Sequence, residues 1–178
     1  DVSAQKRADD SLCVEVSYKQ LFERFCSSRY SGLILSVVKQ TVDCLRYPRT
    51  CLSVALQELQ ADGSLLASAL TCTCLALLDS GIGMSGVFCG VCVAVVNDSL
   101  VLDPNAECES KADSIFTFTF KSPSSRSKSE LDIIGCDTLG TFEFSSFEAA
   151  RELAASAAKN IFMFFRESLQ RKLSVDMW

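Results

Sequence analysis

The clearest pattern lies in residues 47–84. Between Cys51 and Gln60, Leu52, Val54 and Leu56 alternate with Ser53, Ala55 and Gln57, the period of two of a half-buried strand. Asp62-Gly63-Ser64 follows. Gly63 tolerates unusual dihedrals, and Asp62 or Ser64 can accept from the first free N–H groups of a helix. From Leu65 to Asp79 the chain is apolar or small nearly all round, which predicts a helix buried on several sides. Its small residues, Ala67, Ala69 and Ala76 among them, permit close backbone approach, and Gly81 is placed to end it.

The same reading extends along the chain. Residues 1–10 form a polar lead-in, then Leu12, Val14, Val16 and Tyr18 alternate with polar neighbours and predict a strand. Residues 20–28 are ambiguous. Leu33, Ile34, Val37, Val38, Thr41, Val42 and Leu45 recur at helical spacing, predicting an amphipathic helix over 31–45 that Pro48 stops. A β-branched run over 87–96 meets Asn97-Asp98, a hairpin turn into Leu100-Val101-Leu102. Pro104 ends that strand, and a polar acidic segment, 105–113, leads to the strand 115–120. Phe116, Phe118 and Phe120 share one face there. A core role is favoured over base stacking, because no basic residue interleaves before Lys121. Residues 121–130 are a Ser-rich loop in which Lys121, Arg126 and Lys128 form a small, solvated basic cluster. Residues 131–136 and 140–144 predict a hairpin. Ser145 with Glu148 matches a capping box opening a helix to about residue 173, with Ala150, Leu153, Ala154, Ala157, Ile161, Phe164 and Phe165 as its stripe. Met177 and Trp178 lie beyond its charged end, where the pattern assigns them no role, and there is no internal repeat.

Composition narrows the classes. A chain of 178 residues, 48% of them hydrophobic, has the material for one substantial folded domain spanning 1–178. No run has the length and uniformity of a membrane span, and no basic-then-apolar leader opens the chain. The net charge of −5 argues against a wide face that grips nucleic acid alone, but permits one contributor to a composite channel. Having no His, the chain contains neither a Ser-His-Asp nor a Cys-His catalytic scheme. Ten Cys raise the question of disulfides or zinc. Cys89 and Cys92 are offset by three on a strand, hence on opposite faces. Cys72 and Cys74 stand about 200° apart on a helix. Neither pair chelates one ion, so the thiols read as buried, reduced small hydrophobes of a cytosolic or nuclear compartment.

The run Pro48-Arg49-Thr50, the stretch 60–70 (QADGSLLASAL), and residues 75–84, 88–95 and 100–104 together resemble the RNase PH family. Within it they are most similar to ring subunits of the eukaryotic RNA exosome, and residues 162–172 (FMFFRESLQRK) resemble the C-terminal helix of such a subunit. The resemblance implies an α+β fold, mixed sheets with packed helices, of the ribosomal protein S5 domain 2-like type. It also implies that strands normally precede the first residue of this chain. Implied partners are other RNase PH-like subunits (exosome components eight and nine), an S1/KH cap subunit and RNA in a composite channel. A homodimer is the alternative for the isolated chain. The implied localisation is nucleus, nucleolus and cytoplasm.

Catalytic relatives hold inorganic phosphate with a Gly-Thr-Arg turn. The resemblance places Ser64, Leu65 and Leu66 there, and Leu35 where an RNA-facing arginine stands. Apolar side chains cannot hold an anion, so the phosphate site reads as dismantled and the chain as a non-catalytic subunit without a cofactor. Asp103 and Glu109 correspond to the family's acidic pair. As paired carboxylates they are candidates for Mg²⁺ or Mn²⁺ in a residual metal-dependent nuclease, the alternative reading. Two solvated acids is the plainer one. Asp62 reads as a turn residue, and Arg49, Lys121 and Arg126 are weak candidates for RNA contact.

Overall fold

A computed structural model describes residues 10–20, 28–122 and 131–175. Residues 1–9, most of the ambiguous stretch 20–28, the cations Arg126 and Lys128, and Met177 and Trp178 fall outside the described residues.

The first strand, β1 (Cys13–Lys19), pairs in parallel with β2 (Cys51–Gln57), Cys13 opposite Cys51 and Tyr18 opposite Leu56. The connection is α1 (Ser28–Thr41), and Tyr18 meets Tyr30 edge-on at 5.3 Å between ring centroids. The helix ends four residues short of the predicted 45. Its last carbonyl, on Thr41, accepts from the Ser85 N–H at 2.7 Å, and Asp43 N–H donates to Gly83 O. A tertiary strap therefore ends this helix before Pro48 is reached, and residues 44–46 make a separate 3-10 turn. The strand β2 is shorter than the alternation suggested, and Leu59 beyond it is 85% exposed.

The second sheet is antiparallel. It contains β3 (Phe88–Val96), β4 (Ser99–Leu102), β5 (Ser114–Lys121) and β6 (Asp132–Gly140), in the order β4-β3-β5-β6. Asn97 and Asp98 both take positive φ, 49° and 59°, as a two-residue hairpin turn requires. Phe116, Phe118 and Phe120 are buried, as the core reading expected. Register sets them opposite Val93, Val91 and Cys89 on one face, which is covered by α4 (Phe144–Val175) through Phe147, 5.7 and 5.4 Å from the Phe116 and Phe118 rings.

The predicted hairpin over 131–144 is not formed. One continuous strand, β6, runs alongside β5 from Asp132 to Gly140. Gly135 provides space within that strand: a Cβ would lie 3.3 Å from a Val37 methyl of α1 and 3.2 Å from Thr119 Oγ1. Likewise α4 begins at Phe144, so Ser145 lies inside its first turn and its hydroxyl donates to Glu143 Oε2 at 3.4 Å rather than capping. In its stripe Ala150, Ala154 and Phe165 are buried as expected. Phe164 is 62% exposed, and Ala158 takes a core place instead.

Candidate functional site

The long helix α2 (Leu65–Asp79) lies on the other face of the antiparallel sheet. Gly90 of β3 makes the approach possible, since a Cβ there would sit 2.6 Å from the Ala67 carbonyl oxygen. The strand β4 pairs only with Val93–Val96, so the rest of that edge of β3 needs another partner. Thr71 supplies one by accepting from Gly90 N–H at 3.1 Å. Gly81, at φ 70°, ends the helix as expected. The expectation of burial on several sides holds for Leu66, Ala67, Ala69, Leu70, Thr73, Cys74 and Leu77. It fails for Ser68, Cys72, Leu75 and Ala76, which are exposed. The periodicity had no polar face to mark that stripe.

The entry to α2 is conformationally unusual. Gly63 (φ 82°) and Ser64 (φ 49°) both occupy the left-handed region, and Asp103 (φ 52°) does so facing them. Gly63 has no alternative, because a Cβ would stand 2.3 Å from Pro104 O. A left-handed residue leading into a helix makes a concave set of amides suited to an anion. The occupant is internal. Glu109, half-buried on the short helix α3 (Ala106–Ser110), accepts from Ser64 N–H at 2.8 Å. The expected capping by Asp62 or Ser64 is not made. Ser64 Oγ donates to Pro104 O at 3.0 Å, and Asp62 Oδ1 accepts from Ala106 N–H at 3.3 Å. Left-handed Ser64 turns its hydroxyl away from α2, so both side chains brace the turn against residues 104–106.

This arrangement fixes the positions of the candidate residues. Leu66 is 4% exposed and belongs to the core. Leu65 lines an apolar groove of about 350 Å³ with Tyr18, Leu56, Leu59 and Cys72. Leu35 packs half-buried against the core. Asp103 is exposed on the wall of a second cavity of about 390 Å³, beside Cys92, Gly90, Thr71 and Asn160. Asp103 and Glu109 converge on one thiol. Burial pushes Cys92 up, hydrogen bonds from Thr117 and Ser64 oppose that, and the charges of Glu109 and Asp103 add to it. The pair is thus brought to one end of α2, with Glu109 already engaged by a backbone donor. Arg49 is exposed at a left-handed position (φ 58°). Lys121 donates to Ser85 Oγ at 2.9 Å, beside Phe88 in register. That is roughly 15 Å along β3 from Asp103, so Lys121 does not join the acidic pair.

Sequence reasoning passed over two participants. Asn105 caps α3, its Oδ1 accepting from Cys108 N–H at 2.9 Å. The Pro-Asn pair ahead of Cys108 and Glu109 carried that signal. Tyr30 is the second: burial raises its phenol, and the Glu109 charge adds to the effect. Nothing local predicts it, since the two are brought together only by the fold. Among the thiols, Cys74, Cys89 and Cys92 are buried as expected, but Cys72 and Cys136 are exposed. Cys72 sits on the uncovered stripe of α2.

An α+β fold whose central helix enters through a strained, acid-filled turn defines the class, and comparison with known proteins agrees. Residues 10–83 match the 3′ exoribonuclease family, domain 1, and residues 86–157 match its domain 2. The chain belongs to this family, known as RNase PH. It is 33% identical over 176 residues to the exosome complex component RRP46 homolog of Caenorhabditis elegans, spanning 99% of this chain and 81% of that protein. The fold matches the crystal structure of rice (Oryza sativa) Rrp46 with a TM-score of 0.83 at 24% identity, covering 91% of this chain and 75% of the other. It also matches C. elegans cell-death-related nuclease 5, with a TM-score of 0.57 at 37% identity over 64% of this chain and 60% of the other.

Proposed function

We propose that this chain is a non-catalytic ring subunit of a eukaryotic RNA exosome, in the place of exosome component five, supporting 3′-to-5′ RNA processing, rRNA included, and RNA degradation. The observation that carries the reading is the entry to α2. Leu66 is a core residue, Leu65 faces an apolar groove, and the Ser64 amide already serves Glu109. Holding a free phosphate against a phosphodiester takes cationic or hydrogen-bonding groups aimed at it, and these side chains are neither. The uncovered stripe of α2, the Leu65 groove beside it, and exposed Met163 and Phe164 on α4 supply apolar surface for neighbouring subunits. Other RNase PH-like subunits, components eight and nine, and an S1/KH cap protein are the proposed neighbours, with RNA in the shared channel. Nucleus, nucleolus and cytoplasm are the proposed compartments.

A second reading rests on the likeness to a protein named as a nuclease. There, Asp103 would hold Mg²⁺ or Mn²⁺ with Glu109 as its partner, in the isolated chain or a homodimer. The Ser64 amide competes for the Glu109 carboxylate, which weighs against it. One experiment separates the readings. The purified chain is mixed with its proposed neighbours for intact-complex mass measurement, and assayed alone on an RNA oligonucleotide with phosphate or with Mn²⁺. Incorporation into a ring without cleavage supports the subunit. Release of nucleoside diphosphates that depends on added phosphate would falsify it. Mn²⁺-dependent cleavage lost in both Asp103→Asn and Glu109→Gln would establish the nuclease.

A further inference from the structure

The parallel pairing of β1 with β2 produces a cluster that no spacing along the chain reveals. Cys13 stands directly opposite Cys51, and Glu15, two residues on, shares the face of Cys13. Their ligand atoms, two thiol sulfurs and one carboxylate oxygen, all lie within 4.8 Å of one another, and all three residues are half-buried. We propose that Cys13, Glu15 and Cys51 form a site for a thiophilic divalent cation of the Zn²⁺ class, which clips the first strand of the chain onto the second. The site is separate from the turn at Ser64 and does not rest on the exosome reading.

Three arguments support a cation over the other uses of two thiols. A tetrahedral Zn²⁺ with bonds of about 2.3 Å to sulfur holds its two thiolates about 3.8 Å apart. The two sulfurs already lie within 4.8 Å of each other, so the two distances are compatible. A disulfide asks for a closer approach, with the sulfurs at about 2.0 Å, and neither Cys13 nor Cys51 forms one. The third donor decides the class: a carboxylate beside two sulfurs completes a borderline-soft set, and contributes nothing to a disulfide. Binding is charge-balanced without redox change. Each thiol loses its proton to solvent, the ionised Glu15 supplies the third bond, and water takes the fourth position. The consequence is mechanical. A two-stranded sheet is marginal by itself, and a metal joining residues 13 and 51 closes the connection that contains α1.

The test uses the full chain in reducing buffer with Zn²⁺ as the probe. Alkylation of each thiol is followed by peptide mass spectrometry with and without the ion, which needs no variant. Joint protection of Cys13 and Cys51, with exposed Cys72 and Cys136 still reacting, is the expected result. Cys13→Ser and Cys51→Ser should each lower Zn²⁺ affinity by on the order of 100-fold or more, since even outer-shell partners cost roughly 10–100-fold. Glu15→Ala leaves both thiols in place and should weaken binding with circular dichroism unchanged, while Cys72→Ser should bind as the wild type does. Equal alkylation with and without Zn²⁺ would overturn the proposal. So would one-to-one binding that survives loss of both Cys13 and Cys51, or a Cys13–Cys51 disulfide that persists in reductant.

Discussion

Replacing Glu109 by Ala removes the internal anion at the head of α2 and leaves the Ser64 N–H without its partner. The lost contact is a hydrogen bond of 2.8 Å from a backbone amide to a carboxylate, and bonds to charged groups contribute about 1.5–3 kcal/mol. Glu109 is only half-buried, so water replaces part of it, and about 1–2 kcal/mol is expected. For a chain of this size that lowers Tm by about 2–8 °C. Glu109→Gln keeps an acceptor but not the charge, and should fall between Ala and wild type. The control is Glu107→Ala. Glu107 is on the same short helix but pairs with Lys111 at the surface, where such a pair contributes about 0.5 kcal/mol or less. A second readout isolates the anion role: phosphate should raise the Tm of Glu109→Ala more than that of the wild type, because only the variant has a vacant amide. Thermal scans of the four proteins, with phosphate or with chloride at equal ionic strength, measure both effects. A Glu109→Ala protein as stable as Glu107→Ala, or indifferent to phosphate, would refute the assignment.

The close approach of α2 to β3 makes Gly90→Ala costly. The new methyl would start 2.6 Å from the Ala67 carbonyl, and the backbone shift it forces should destabilise by about 1–3 kcal/mol in a urea titration, whereas Gly32→Ala, with open space around its Cβ, should be neutral or stabilising. The buried thiols predict the alkaline limb of stability. Burial pushes Cys74 from 9.0 up to about 11 and Cys89 up to about 12, so above pH 9 the unfolded chain binds fewer protons than the folded one. Stability should therefore be full below pH 9 and fall as pH rises toward 11–12, by at most about 1.4 kcal/mol per pH unit for each thiol. Cys89→Ala should flatten the curve measured from pH 8 to 10.5, and an unchanged slope would show that these thiols do not set it.

Much of the architecture was legible in local pattern, because period and turn chemistry act over a few residues. The alternation of Leu12 to Tyr18, the β-branched run ending at Asn97-Asp98, the three phenylalanines of β5 and the span of α2 from Leu65 to Asp79, closed by Gly81, all appear in the fold as read. The family, too, was legible, in motifs carried at a spacing that the domain matches cover. What stayed hidden depends on which segments meet. Residues between 136 and 140 read as a hairpin turn in sequence, yet one strand runs through them because β6 pairs with β5 from Asp132 to Gly140. Ser64 reads as a cap, yet its left-handed backbone sends the hydroxyl to Pro104 and gives its amide to a carboxylate 45 residues away. Cys13 and Cys51 share no local motif, and only parallel register sets them side by side. Sequence determines what each segment is able to become, since propensity and periodicity are properties of neighbours along the chain. Tertiary structure decides which donors, acids and thiols confront one another, since those contacts join residues far apart in sequence, which no local pattern records.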